Sequence, residues 1–301
     1  MFFAVLAVFA FFWKTMRTLL ICHDDAPLDR AGLVRWLGSF STFAGTVVLR
    51  EPRGRLKKRI KREVSRVGVW RFLDVLAFRL YYTLAQAAGD RVWEQRELAR
   101  LRAWFPDRPD APELVVSSPN SPEAEAFIRE QQPDLVLARC KTLLKEQIFT
   151  IPALGTYVMH PGICPEYRNA HGCFWARATG DQQNVGMTLL RIDKGVDTGP
   201  VYGYFRVDAD PAESHVVTQH RVVLEHLDAI RDKLLEIEAG TAERIVTEGR
   251  HSATWGQPWM TAFLKMVRAG NHVRRRPVLD TPERHGATAS GVGVGPHAFE
   301  R

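Results

Sequence analysis

Short β-branched runs alternate with helical patterns along most of this chain, and that alternation restricts the fold more than any other feature. Runs rich in Val, Ile, Leu and Thr occur at 18–22, 46–49, 113–118, 134–139 and 156–160, each bounded by turn residues. Between them, residues 30–38 carry Leu33, Val34 and Leu37 on one helical face. Residues 121–131 start with Ser121 as an N-cap, Pro122 at the first helical position and Glu123 in the first turn. After the fifth run, 185–192 and 201–207 are strand-like and joined by the turn-rich DKGVDTGP, and an amphipathic helix from Ser214 to about Glu238 follows. Strand alternating with helix predicts an α/β fold with a doubly wound, Rossmann-like, mostly parallel sheet. With 301 residues, 46% hydrophobic and 25% charged, the chain has the composition of a globular protein that covers such a sheet on both faces. Collagen, wholesale disorder and a multi-span membrane protein are excluded.

The net charge is +7, and residues 50–66 account for it alone, with nine Lys and Arg against Glu51 and Glu63. This basic run opens an insertion at about 53–102, whose middle, VWRFLDVLAFRLYYTL, places apolar groups at helical spacing all the way round. A helical hairpin with a solvated basic face is expected; contact of 50–66 with an anionic membrane or a polyanion is the alternative. Nucleic acid is the weakest partner, because no groove-reading helix motif is visible. Residues 2–13 are all apolar, yet twelve residues fall short of the roughly 20 that span a bilayer. They lack the positive leader and small-residue cleavage site of a signal peptide. Residues 1–15 are therefore expected to be an extension before Met16, from a start codon placed early; a membrane-dipping anchor and a buried N-terminal helix are the alternatives. Residues 16–245 form the expected catalytic domain, and 246–301 a C-terminal extension that is disordered from about 274. The GVGVG within that tail follows no strand and opens no helix, so it is not a nucleotide loop. Cys22, Cys140, Cys164 and Cys173 show no CxxC spacing, which favours a reducing, cytoplasmic setting, with membrane association through the basic segment as the added option. No metal site is expected: His215 and His220 are five residues apart on a helix and point in different directions, as exposed polar groups would.

The stretch 133–200 carries the chemistry. Within it LLKEQIFTIPALGTYVMHPGICPEYRNAHGCFWARATGD leads into VGMTLLRIDKGVDTGP. These two linked motifs resemble the formyltransferase family that uses 10-formyltetrahydrofolate, which includes glycinamide ribonucleotide, methionyl-tRNA and amino-sugar formyltransferases. The matching positions include Leu144, Lys145, Pro152, Gly155, His160, Pro165, Tyr167, Arg168 and Trp175 in the first motif. In the second they include Gly186, Thr188, Asp193, Asp197, Gly199 and Pro200.

The resemblance implies that His160 is the acid/base or electrophilic catalyst and Asp197 its partner. An imidazole suits proton movement from an attacking amine to a leaving nitrogen, since its unperturbed pKa is about 6.5. The formyl donor implied is 10-formyltetrahydrofolate, as a cosubstrate. Its pterin is expected between Leu143, Leu144, Ile148 and Phe149 on one side and the loop from Arg191, Ile192, Asp193, Lys194 and Gly195 on the other. Pro161, Gly162, Arg168 and His171 are expected at the acceptor. One departure stands out: the family's Asn two residues before the histidine is Val158 here. Loss of an oxyanion donor typically costs about 10²–10³ in rate. Asn169 is expected as the relocated donor with His171 as second choice, although Asn also tolerates a left-handed backbone where the family has Gly. The expected activity is formyl transfer to the primary amine of a small molecule such as an amino sugar. Phosphoribosylglycinamide formyltransferase, formyltetrahydrofolate hydrolase and a non-catalytic membrane-associated or binding protein are the alternatives. Asp24 and Asp25 stand where the glycinamide-ribonucleotide members place a phosphate loop, and with about 55 residues after the closing helix the β-barrel of the tRNA enzymes is not expected.

Overall fold

β1 (Arg17–His23) turns Leu20 and Cys22 into one hydrophobic layer and Leu19 and Ile21 into another, with all four fully buried. β4 (Leu135–Arg139) repeats the pattern, Leu135 and Leu137 joining the first layer and Val136 and Ala138 the second. Strands apolar on both faces belong at the centre of a sheet covered on both sides, and that is where they lie. In the computed structural model, which describes residues 15–50 and 63–275, the order is β3-β2-β1-β4-β5-β7-β8. β2 (Thr42–Leu49), β3 (Glu113–Val116) and β5 (Gly155–His160) extend the parallel part. β7 (Gly186–Arg191) and β8 (Val201–Arg206) complete it as antiparallel neighbours. The doubly wound, mostly parallel α/β fold expected from the sequence is present. The apolar extension, the central part of the basic run and the glycine-rich tail lie outside the described residues.

Helix α1 (Val34–Gly38) buries Val34, Trp36 and Leu37 on the first face of the sheet. The hairpin of α2 (Val69–Ala85) and α3 (Ala87–Trp104) lies on the same side. Phe78 of α2 meets Phe174, His215 and Phe263, and Leu101 of α3 is fully buried. The second face is covered by α4 (Pro122–Gln131), which buries Ala124 and Ile128, and by the single turn α5 (Glu146–Phe149). The cap read from the sequence is formed: Ala124 N–H donates to Ser121 Oγ.

The closing helix is not continuous. It breaks into α7 (His215–Leu224) and α8 (Leu227–Ala239), because the His226 ring Nδ1 takes the Val222 carbonyl while its backbone N–H bonds Val223 instead. That local competition tightens the last turn and redirects the chain, so that Leu227, Ile230, Leu234 and Ile237 can reach the core. The residues after 245, expected as a C-terminal extension, add a two-residue strand and α9 (Met260–Arg275).

At the carboxyl edge, Thr188 of β7 lies opposite His160 of β5. Its hydroxyl donates to the Gly162 carbonyl at 2.7 Å and accepts the Cys164 N–H at 2.9 Å, so one fully buried side chain pins the loop after β5. Thr188→Val keeps the shape and strands both buried partners, which should lower stability by about 1–3 kcal/mol in urea unfolding.

Candidate active site

His160 ends β5 and is 4% exposed. Its Nε2 lies 2.8 Å from the Tyr167 carbonyl, which can only accept, so this nitrogen carries hydrogen. Nδ1 is thereby turned to Asp197, at 3.4 Å from Oδ2. The same carboxylate oxygen accepts the backbone N–H of Asn169 at 2.8 Å. One carboxylate therefore ties together the end of β5, the loop before α6 (Gly172–Ala178) and the loop between β7 and β8.

Close packing builds this junction. A Cβ on Gly162 would lie 2.4 Å from the Tyr167 carbonyl oxygen and 2.8 Å from His160 Nε2. A Cβ on Gly199 would lie 1.8 Å from the Arg191 carbonyl oxygen, so the β7–β8 loop closes only with glycine there. Asp193 shapes the loop by accepting the Gly195 N–H and the Thr198 hydroxyl. Asn169, His171 and Asp197 all have positive φ, at 79°, 55° and 50°, though none is glycine. Such backbone is uncommon, and its concentration around one histidine marks a position the surroundings enforce.

Beside this junction opens a shallow cleft of about 530 Å³, counting its open mouth. Leu143, Leu144, Ile192, Asp193, Lys194 and Gly195, expected at the folate, line it, together with Ala138, Val158 and Asp197. Leu143 is largely exposed at the cleft, and Lys194 Nζ pairs with Glu146 at 2.9 Å. Ile148 is buried in the second core layer, with Phe149 packed against it. The Arg191 guanidinium lies close over Gly155. Those three are outside the lining: α5 turns Ile148 and Phe149 to the sheet, and Arg191 lies against Gly155. Pro161, Gly162, Arg168 and His171 are also outside it: Gly162 is wedged between Tyr167 and Gly172, and Arg168 Nη1 donates to the Val196 carbonyl at 3.0 Å.

The expectation for Asn169 needs correction. Its amide Nδ2 donates to the Trp255 carbonyl, and the group it offers to the site is its backbone N–H. His171, the second choice, packs against His215 and shares a hydrogen bond with Gln219. Neither side chain replaces the family asparagine here, and Val158 presents methyl groups to the cleft.

Sequence reasoning missed a strap formed by residues 250–259. Arg250 binds Glu166 in a two-pronged pair at 2.9 and 2.7 Å and also reaches Tyr204 Oη, which donates to the Cys164 carbonyl. β6 (Arg168–Asn169) pairs with β9 (Thr254–Trp255), and Trp255 stacks on Tyr167 and Trp175. The tryptophans at 255 and 259 were the available signal, in a region otherwise read as an extension.

His215 also differs from the exposed group expected of a polar helix, and it lies against His171. Phe78, Phe174 and Tyr82 surround His215, and its buried Nδ1 has no partner. Burial first, then the neighbouring cations, pushes His171 down to about 4; burial and then His171 push His215 down to about 3.

Residues 103–230 match the family model described as formyl transferase. Over that stretch the chain is similar to the formyl transferase family. A methionyl-tRNA formyltransferase of Dehalococcoides mccartyi (strain CBDB1) is 34% identical over 105 residues, which is 34% of this chain and 33% of that protein. One from Thermus thermophilus is 30% identical over 140 residues, covering 45% of this chain and 43% of its own length. The chain thus matches less than half the length of these curated relatives. The crystal structure of a phosphoribosylglycinamide formyltransferase from Anaplasma phagocytophilum aligns with a TM-score of 0.50 at 14% identity, covering 81% of this chain and 100% of that one. This likeness shows the formyl transferase fold.

Two outcomes are expected. Asn169→Gly should keep turnover within a few-fold of wild type, whereas Asn169→Ala should lose about 1 kcal/mol of stability from strain at positive φ. A loss of 10²-fold or more in both variants would restore the side-chain donor. Separately, the unfolded histidines take up protons near pH 6.5 while the folded ones resist. Stability is thus complete above that pH and declines as pH falls toward about 4 and then 3. Urea midpoints across this window should fall, and His215→Phe should flatten part of the slope.

Proposed function

We propose that this protein transfers a formyl group from 10-formyltetrahydrofolate to the primary amine of a small molecule, such as an amino sugar. The observation that supports this reading best is the His160–Asp197 contact at the edge of the cleft: a buried imidazole whose Nδ1 faces a carboxylate, with Asp197 itself lining the cavity. When bound, the cosubstrate supplies a formyl carbon already activated on nitrogen. Leu143 and Leu144 give the cleft its apolar side, and the loop from Ile192 to Gly195 closes it opposite. The donor set therefore fits a flat, partly apolar ligand recognised mainly through backbone groups.

His160 holds hydrogen on Nε2 against Tyr167, so the proton it exchanges moves at Nδ1. Asp197 stabilises the protonated ring and is itself kept in place by the Asn169 N–H. This division leaves His160 able to take a proton from the attacking amine and pass it to the leaving folate nitrogen, with Asp197 facing the ring.

Charge around the end of β1 favours an amine over a phosphate. Burial first, and then the neighbouring carboxylates Asp29, Asp25 and Asp90, push the Glu94 carboxyl up. Arg30 and Arg50 occupy Asp24, and Arg139 occupies Asp29, so the cations here are already engaged.

The test is turnover of 10-formyltetrahydrofolate with and without a panel of primary amines, including amino sugars and glycinamide ribonucleotide. Amine-dependent formation of tetrahydrofolate is expected, and His160→Asn or Asp197→Asn should reduce it by about 10²-fold or more. Turnover without amine would identify a hydrolase. Absence of turnover with every amine, together with no folate binding, would overturn the proposal.

A further inference from the structure

Three helices share an outer surface whose composition is unlike the rest of the molecule. Fourteen large apolar side chains are well exposed among the described residues, and ten of them are on α2, α3 and α9. On α2, Val69, Leu73, Leu76, Leu80 and Leu84 recur at helical spacing, a strip about 22 Å long at 1.5 Å per residue. Trp70, 85% exposed, stands at its start, and Leu264 and Val267 are exposed on α9, which packs alongside.

Burial does not demand this strip, since α2 uses its opposite side, Val75 and Phe78, to pack on the protein. Scattered exposed leucines are ordinary, but a continuous apolar strip of this length needs an occupant.

Charge on the same helices is sorted by sign. Along 63–104 the exposed charged residues are Arg66, Arg71, Arg79, Arg91, Arg96 and Arg102, while Glu63, Asp74, Asp90, Glu94 and Glu97 are all partly covered. Asp74 accepts from Thr261 and pairs with Arg71, and Asp90 accepts from Tyr82 and Ser214. Lys265 and Arg268 are exposed on α9, where residues 260–275 contain no acidic residue. The surface is thus arginines and lysines around leucines, without an exposed carboxylate on these helices among the described residues.

We propose that this face docks on the surface of an anionic phospholipid bilayer, with the leucine strip and Trp70 entering the headgroup–acyl boundary and the basic residues meeting lipid phosphates. A second copy of the chain would set arginines against arginines across the contact. A nucleic acid would meet the charges but leave the leucines unused. No described helix is long and apolar enough to cross a membrane, so the contact is with the surface. The inner side of α2 touches Phe174 and His215, so a docked bilayer would lie one helix away from the loop that carries Asn169 and His171.

The test is sedimentation of the full chain with vesicles of phosphatidylcholine alone and with added phosphatidylglycerol. Binding to the anionic vesicles, weakened by salt, is expected. Leu76→Gln with Leu80→Gln should reduce it about tenfold or more at low salt while leaving the thermal midpoint unchanged. Arg91→Gln with Arg96→Gln and Lys265→Gln with Arg268→Gln should weaken binding and flatten its salt dependence. No binding of the wild-type chain at low salt would overturn the proposal, as would equal binding by the leucine variant or equal binding to neutral vesicles. Association in solution that the leucine variant abolishes, without vesicle binding, would reassign the face to self-contact. Binding of tRNA that ignores the leucine variant, again without vesicle binding, would reassign it to nucleic acid.

Discussion

The carboxylate of Asp197 is the point on which the functional edge of this protein depends. It accepts the Asn169 N–H and faces His160 Nδ1, so the loop between β7 and β8 is joined at one oxygen to the end of β5 and the loop that follows it. Holding it there requires Asp197 and Asn169 in left-handed backbone and a glycine at 199 where no side chain fits. Each of these features is unfavourable alone, and the surrounding sheet supports them together. Thr188 secures the loop behind His160, and the strap at 250–259 secures the loop in front.

That arrangement explains how the chain can keep the family's histidine and aspartate while departing from its pattern elsewhere. Val158 makes the cleft wall apolar where the family has an amide, yet the cleft retains its leucines and the Asp193–Gly195 loop. The electrostatic character of the neighbouring β1 end is negative, with its arginines already paired to carboxylates.

The helical hairpin contributes to both surfaces of the molecule. Its inner residues, Phe78 and Asp90, join the aromatic cluster and the cap of α7, and its outer residues form a basic, leucine-rich face. Amphipathic helices normally bury their broader apolar side. Here α2 buries Val75 and Phe78 and leaves the leucines outside.

The parallel sheet was legible in the sequence because its cause is local. The continuous apolar runs of β1 and β4, the Ser121 cap and the turn residues act over a few positions, and the same holds for the close match around His160 and Asp197. The break at His226 was not legible, because it depends on a ring competing for one carbonyl at the end of an otherwise good helix. The role of Asn169 was read as a side-chain donor, and tertiary structure gave the site its backbone N–H, since Trp255, eighty-six residues away, takes the amide. The same long-range pairing turned an apparent extension into a strap across the site. Sequence alone determined the strands, their order of hydrophobic faces and the residue types available for proton transfer. Only the tertiary structure decided which atoms of those residues meet, because hydrogen bonds between distant segments form only once the sheet has brought their loops to one edge.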